Sequence, residues 1–125
     1  MYLVDDDDAV RESLKALLEA HGLPVEAFAC GEAFQRRAAV GLAGCLILDL
    51  QLPNRNGMHV MNWLRNTIGS NLPVLMITGH GDEAMRATAQ RAGVDFYVEK
   101  PFDAAALTER VMILLGRGRT GREMA

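Results

Sequence analysis

The chain has 125 residues, half of them hydrophobic, and a formal net charge of −3. That length fits one domain with a self-supporting core and excludes a chain dominated by disorder. The longest apolar run, Val111 to Leu115, falls far short of the ~20 residues a membrane span needs.

The first segment, Tyr2 to Val4, reads as a short buried strand with almost nothing before it, so the expectation is either curtailed hydrogen bonding or residues trimmed from its start. Acidic residues begin at Asp5, which leaves no room for a signal peptide and makes the cytoplasm the expected location. Asp7 or Asp8 can cap a helix whose Val10, Leu14, Leu17 and Leu18 fall on one face. Gly22 ends it and Pro24 follows.

Val25 to Ala29 is a second strand candidate, with Val25, Ala27 and Ala29 on one side. Gly31 to Val40 predicts a short helix with Phe34 as its largest core residue. Cys45 to Leu50 is apolar except for Asp49, the pattern of a strand buried on both faces. Cys30 and Cys45 lack a CxxC partner or a metal-type spacing with histidine, so both read as small buried hydrophobes.

Leu52 to Gly57 is a loop, and a helix follows to Ile68 with Met61, Leu64 and Ile68 on one stripe. Pro73 to Ile77 is the fourth strand, followed by Thr78 and Gly79-His80-Gly81. Asp82 to Ala92 predicts a helix with Met85, Ala89 and Ala92 inward. Asp95 to Glu99 is the fifth strand, closed by Lys100-Pro101. Asp103 can cap a last helix with a Leu107, Val111, Leu114 and Leu115 stripe, and Gly116 is expected to stop it. Residues 1–115 then form the domain, and 116–125 a flexible tail or the start of a linker to an output domain outside the sequence. Arg117, Arg119 and Arg122 in that tail have no aromatic neighbours, so they do not argue for nucleic-acid binding by this domain.

Five strand-helix units in succession imply an α/β fold with a parallel sheet and helices on both faces. Ligands in such sheets bind beyond the carboxyl ends of the strands. There the sequence places Asp5 and Asp6 (strand one), Asp49 (three), Thr78 (four) and Lys100 (five). Converging carboxylates repel one another unless a cation joins them. An all-oxygen set with one or two carboxylates suits Mg²⁺. A carboxylate at its edge can act as a nucleophile toward phosphorus. Lys100 offers a compact positive charge and Thr78 a hydroxyl donor for phosphoryl oxygens. Asp7 and Asp8 are accounted for by helix capping and the helix dipole.

These residues carry a resemblance. Val4-Asp5-Asp6, Leu48-Asp49-Leu50 with Pro53 and Gly57, Ile77-Thr78-Gly79 and Glu99-Lys100-Pro101-Phe102 together resemble the receiver domain of two-component response regulators. The resemblance spans almost all of residues 1–115, and its specificity lies in the ordered set. Ile77-Thr78-Gly79-His80-Gly81-Asp82 and Asp95-Phe96-Tyr97 are similar to the FixJ-type subgroup, which usually carries a helix-turn-helix DNA-binding output domain. Asn54 stands where many relatives have an acid.

The resemblance implies a flavodoxin-like doubly wound sheet of order 2-1-3-4-5 and a cis bond before Pro101. It implies phosphorylation of Asp49 by a sensor histidine kinase. Asp6 and Asp49 would bind Mg²⁺ directly, Asp5 through water and Gln51 by its backbone carbonyl. Thr78 and Lys100 would hold the phosphoryl group, and Thr78 and Tyr97 would switch the surface of the fourth helix, fifth strand and fifth helix. That surface would control a partner, an output domain or a homodimer. Met112 and Ile113, off the core stripe of the last helix, also favour a partner face there. Such a domain is not an enzyme beyond catalysing its own phosphorylation and dephosphorylation. A hydrolase with an Asp nucleophile after strand one fits less well, because Asp5-x-Asp7 lacks the Gly-Thr continuation of haloacid-dehalogenase phosphatases. The remaining alternative is a phosphorylation-independent interaction module. His80, two residues after Thr78, is a candidate to touch attacking water, but taken alone it reads as a plain loop histidine.

Overall fold

Short apolar runs bounded by glycine, proline and aspartate become the strands, and the amphipathic stretches between them become the helices. The computed structural model describes residues 1–52, 56–79 and 83–124, with the backbone alone for 117–124. Pro53, Asn54, His80, Gly81 and Asp82 lie outside the described residues, as do the side chains of Arg117, Arg119 and Arg122.

The elements in chain order are β1 (Tyr2–Val4), α1 (Asp8–Ala20), β2 (Glu26–Phe28), α2 (Gly31–Ala38) and β3 (Leu46–Asp49). Next come α3 (Gly57–Asn62), continued by a π-helical turn (Trp63–Thr67), then β4 (Val74–Thr78), α4 (Glu83–Arg91), β5 (Phe96–Glu99) and α5 (Ala104–Met124). All strand pairs are parallel, in the order β2-β1-β3-β4-β5. This is the flavodoxin-like doubly wound arrangement, with its chain reversal between β1 and β3.

β1 is not curtailed. The Tyr2 N–H donates to the Cys45 carbonyl at 2.9 Å and the Glu26 N–H to the Met1 carbonyl at 3.0 Å, so β1 is paired on both sides from its first residue. Strand pleating sorts the core into two clusters. Val4, Leu46, Leu48, Val74, Met76 and Tyr97 lie with Phe34, Val60, Met61, Leu64 and Ala89 on the face covered by α2, α3 and α4. Leu3, Ile47, Leu75, Ile77 and Val98 lie with Leu14, Leu18, Leu107, Val111 and Leu114 on the face covered by α1 and α5. Cys45 belongs to the second cluster, where burial pushes its thiol up to about 11. Cys30 is half-buried, and neither cysteine is in a disulfide.

Three helix expectations need correction. α2 ends at Ala38, before Val40, because the chain turns at Gly41 with φ +105°. Ile68 is exposed rather than on the α3 stripe, since its N–H reaches back to the Trp63 carbonyl and the wider π turn rotates it outward. α5 does not stop at Gly116 but runs on to Met124. An interior glycine costs a helix about 1 kcal/mol without ending it when no left-handed turn or proline follows.

Arginines secure the margins and the floor of the sheet. At the β2 edge, Arg37 donates to both Glu26 carboxylate oxygens, at 2.8 and 3.1 Å, and lies 5.4 Å from the Tyr2 ring centroid. At the β5 edge, Arg86 from α4 stands 5.0 Å from the Tyr97 ring centroid and 4.0 Å from Glu99 Oε1. Arg110 from α5 stands 5.7 Å from the Phe96 ring centroid.

Arg65, in the π turn, donates to the carbonyls of Ser70 (3.0 Å), Leu72 (2.8 Å) and Gly93 (2.8 Å). Its guanidinium is 3.8 Å from Asp95 Oδ2, which accepts the Val74 N–H at 2.8 Å. One side chain thus joins the turns that lead into β4 and β5. Arg65→Ala is expected to lower stability by about 2–4 kcal/mol, the range for losing several charge-assisted bonds to carbonyls. Urea unfolding checks it, and a loss below half of a kcal/mol would deny Arg65 this role.

Candidate functional site

The carboxyl ends of β1 and β3 are neighbours in the sheet, so Asp5 and Asp49 finish side by side. Both are buried, whereas Asp6, one residue further on, is exposed. Carboxylate oxygens of Asp5, Asp6 and Asp49 lie within 4.8 Å of one another.

Lys100 enters from the far side. It directly follows β5, and its backbone N–H donates to the Thr78 carbonyl at 2.7 Å. The ammonium nitrogen is 3.1 Å from Asp49 Oδ2 and 3.5 Å from Asp5 Oδ2. The Lys100-Pro101 peptide is cis, as the resemblance implies. Thr78 ends β4, fully buried, between the strands of Asp49 and Lys100.

Backbone amides fix the two buried carboxylates. The Asp7 N–H donates to Asp5 Oδ1 and the Gln51 N–H to Asp49 Oδ1, each at 2.9 Å. Burial drives the Asp5 carboxyl up to about 6, against the Asp7 N–H and with the nearby Asp49 charge adding to the rise. Burial also lowers the Lys100 ammonium, but its hydrogen bond to Asp49 and the Asp49 and Asp5 charges together outweigh that and raise it. Lys100 therefore stays protonated at neutral pH.

Two further supports come from neighbouring elements. Arg11, on α1, donates from Nη1 to the Asp5 carbonyl at 2.8 Å and pins the end of β1. Gly57 opens α3 directly beneath β3. A Cβ there would sit 2.5 Å from the Asp49 carbonyl oxygen and 2.8 Å from Leu50 Cα, so only glycine fits. Its N–H donates to the Leu50 carbonyl at 2.7 Å, which ties α3 to the segment that carries Asp49.

The structure brings Asp5, Asp6, Asp49 and Lys100 together, with Thr78 and Gln51 at the same edge. Asp7 is not part of the cluster, since its Oδ1 caps α1 by accepting the Ala9 and Val10 N–H groups. Tyr97 is buried on the face toward α4, beneath Arg86. Arg11, and the Gln51 side chain whose Oε1 accepts the Gly79 N–H at 3.1 Å, are features of this edge that sequence reasoning did not find. The Gln51 position, two residues after Asp49, was the available signal for the second; nothing in the sequence marks the first. Three hard oxygen donors with a charge excess suit a divalent cation better than a soft one.

The match to known proteins agrees with this geometry. Residues 1–112 match the family model for the response regulator receiver domain. The chain is 38% identical over 117 residues to the transcriptional regulatory protein FixJ of Azorhizobium caulinodans, covering 94% of this chain and 55% of that protein. It superposes on the response regulator StyR with a TM-score of 0.88 at 34% identity, over 98% of this chain and 62% of that one. A CheY-like receiver domain from Methanospirillum hungatei JF-1 shares the fold with a TM-score of 0.89 at 24% identity, over 96% of this chain and 95% of that one. The chain belongs to the receiver domain family of two-component response regulators. It spans about half the length of the curated relatives it matches. Among the described residues, no helix is long and apolar enough to cross a membrane.

Two substitutions probe the site. Asp5→Asn removes one of two buried, adjacent carboxylates and is expected to stabilise the metal-free chain by about 1–3 kcal/mol. Millimolar Mg²⁺ should stabilise the native chain more than the variant, and an unchanged or lowered melting temperature without metal would contradict the repulsion. Gly57→Ala is expected to cost about 2–4 kcal/mol by overpacking against backbone. Melting temperature reads this directly, and a neutral result would mean that α3 can retreat from β3.

Proposed function

We propose that this chain is a phosphorylation-operated switch that receives a phosphoryl group on Asp49 from the phosphohistidine of a sensor histidine kinase. An Asp49 carboxylate oxygen attacks phosphorus in line. The O–P bond forms as the P–N bond breaks, and the electron pair leaves with the imidazole, which takes up a proton. The observation that carries this reading is the Lys100 ammonium 3.1 Å from Asp49 Oδ2 at the carboxyl edge of the sheet. It is placed to offset the charge that builds on the phosphoryl oxygens.

The carboxylates of Asp5, Asp6 and Asp49, whose oxygens lie within 4.8 Å of one another, fit Mg²⁺; Asp6 and Asp49 would hold it directly, Asp5 through water and Gln51 by its carbonyl. Bound there, Mg²⁺ supplies positive charge and polarises phosphoryl oxygens. The Gln51 N–H holds the Asp49 carboxylate in orientation, at 2.9 Å from Oδ1. The Thr78 hydroxyl turns toward the phosphoryl oxygens, and Tyr97 moves into the space that Thr78 leaves. This shifts the equilibrium between two forms of the surface of α4, β5 and α5. Met112 and Ile113, both exposed on α5, supply apolar area for a partner or second copy on that side.

Residues 1–115 act as the receiver, and its switch controls a partner, a second copy or an attached DNA-binding output domain. The setting is cytoplasmic. Hydrolysis of the aspartyl phosphate resets the switch, and the domain turns over no other substrate.

Intact-protein mass after incubation with acetyl phosphate and Mg²⁺ tests the acceptor. The native chain should gain one phosphoryl group and Asp49→Asn none. No gain in either would replace this reading with an unphosphorylated interaction module, and equal gain in both would move the acceptor elsewhere.

A further inference from the structure

Gln51 ties the ends of two strands together. Its backbone N–H donates to Asp49 Oδ1, and its side-chain Oε1 accepts the Gly79 N–H at 3.1 Å. The β3–β4 register pairs Asp49 with Ile77, so two residues further on it sets Gln51 opposite Gly79. The side-chain bond thus stands where the next rung of the ladder would fall, just past the last strand residues, Asp49 and Thr78. Gly79 and Gln51 are both exposed, at the sheet edge where Asp49 ends β3.

We propose that the Gln51 side chain is a positioning residue for the acceptor site: its carboxamide oxygen holds the Gly79 N–H until an oxygen on phosphorylated Asp49 takes that donor. This inference rests on Asp49 being the acceptor. A phosphoryl group on Asp49 brings anionic oxygens to the edge where Gly79 follows Thr78. An anionic oxygen is a stronger acceptor than a neutral amide. The displaced carboxamide is already exposed and returns to water without a burial cost. Gln51 therefore favours the unmodified form by about one ordinary hydrogen bond, and its removal favours the phosphorylated form.

The test compares the native 125-residue chain with Gln51→Ala and Gln51→Glu. The ¹⁵N–¹H signal and hydrogen exchange of Gly79 are followed without phosphate donor. The phosphorylated fraction at a fixed level of acetyl phosphate and Mg²⁺ is read by mass, with acetate as the leaving group. In Gln51→Ala the Gly79 amide should move and exchange faster, and the phosphorylated fraction should rise about threefold to tenfold while still far from saturation. Gln51→Glu puts a stronger, anionic acceptor at the same reach, so the Gly79 amide should exchange no faster than in the native chain and the phosphorylated fraction should not rise. A Gly79 signal unchanged in Gln51→Ala, or a moved signal without a rise in phosphorylation, overturns the proposal. A native chain that gains no mass while Gln51→Ala still moves Gly79 overturns the acceptor assignment and the competition with it, leaving Gln51 a tie between strands.

Discussion

The Lys100 ammonium lies within 3.5 Å of two buried carboxylates that would otherwise face each other across the ends of β1 and β3. β4 separates the strand of Lys100 from that of Asp49, so the two side chains and the contact between them together bridge roughly 10 Å, two strand spacings. The contact therefore depends on the order of all the inner strands and on the register that ends them together. Buried carboxylates are tolerated only when paired or hydrogen-bonded. Here Asp5 and Asp49 each have one backbone N–H and a share of the same ammonium.

Packing beneath the site serves the same end. Gly57 lets α3 approach the Asp49 carbonyl more closely than any side chain would allow, and Arg11 fixes the carbonyl of Asp5 from α1. The backbone beneath the two carboxylates is thus held by helices on opposite faces of the sheet. At the other end of β4 and β5, Arg65 satisfies three carbonyls at once, so the turns that set the strand register need no long loops. The acidic end can then carry charge repulsion because the opposite end is cross-linked by hydrogen bonds.

Much of this was legible in the sequence, and for identifiable reasons. Strands buried on both faces leave short apolar runs, and a single Asp at the end of one, as in Leu48-Asp49-Leu50, stands out against them. Glycine, proline and capping aspartates mark most boundaries, which is why Asp103, and Asp7 as one of two candidates, are legible as helix caps. What escaped depends on distance in the chain. Arg65 meets Gly93 and Asp95 across 28 and 30 positions, a pairing that needs the crossover connection to be known. The same holds for Gln51 and Gly79. The π turn and the passage of α5 through Gly116 turn on small backbone energies, so local propensity misplaces both.

The two outer strands bear on how the domain meets other chains. An open sheet offers unpaired backbone along both margins, which invites another strand to add itself. Here each margin carries a glutamate with an arginine folded over an adjacent aromatic ring: Glu26 with Arg37 and Tyr2, Glu99 with Arg86 and Tyr97. A chain arriving edge-on would have to strip these ions of water and part them before forming any backbone bond. Growth of the sheet is thereby discouraged in both directions, and association through the helical faces and their side chains is left as the easier route.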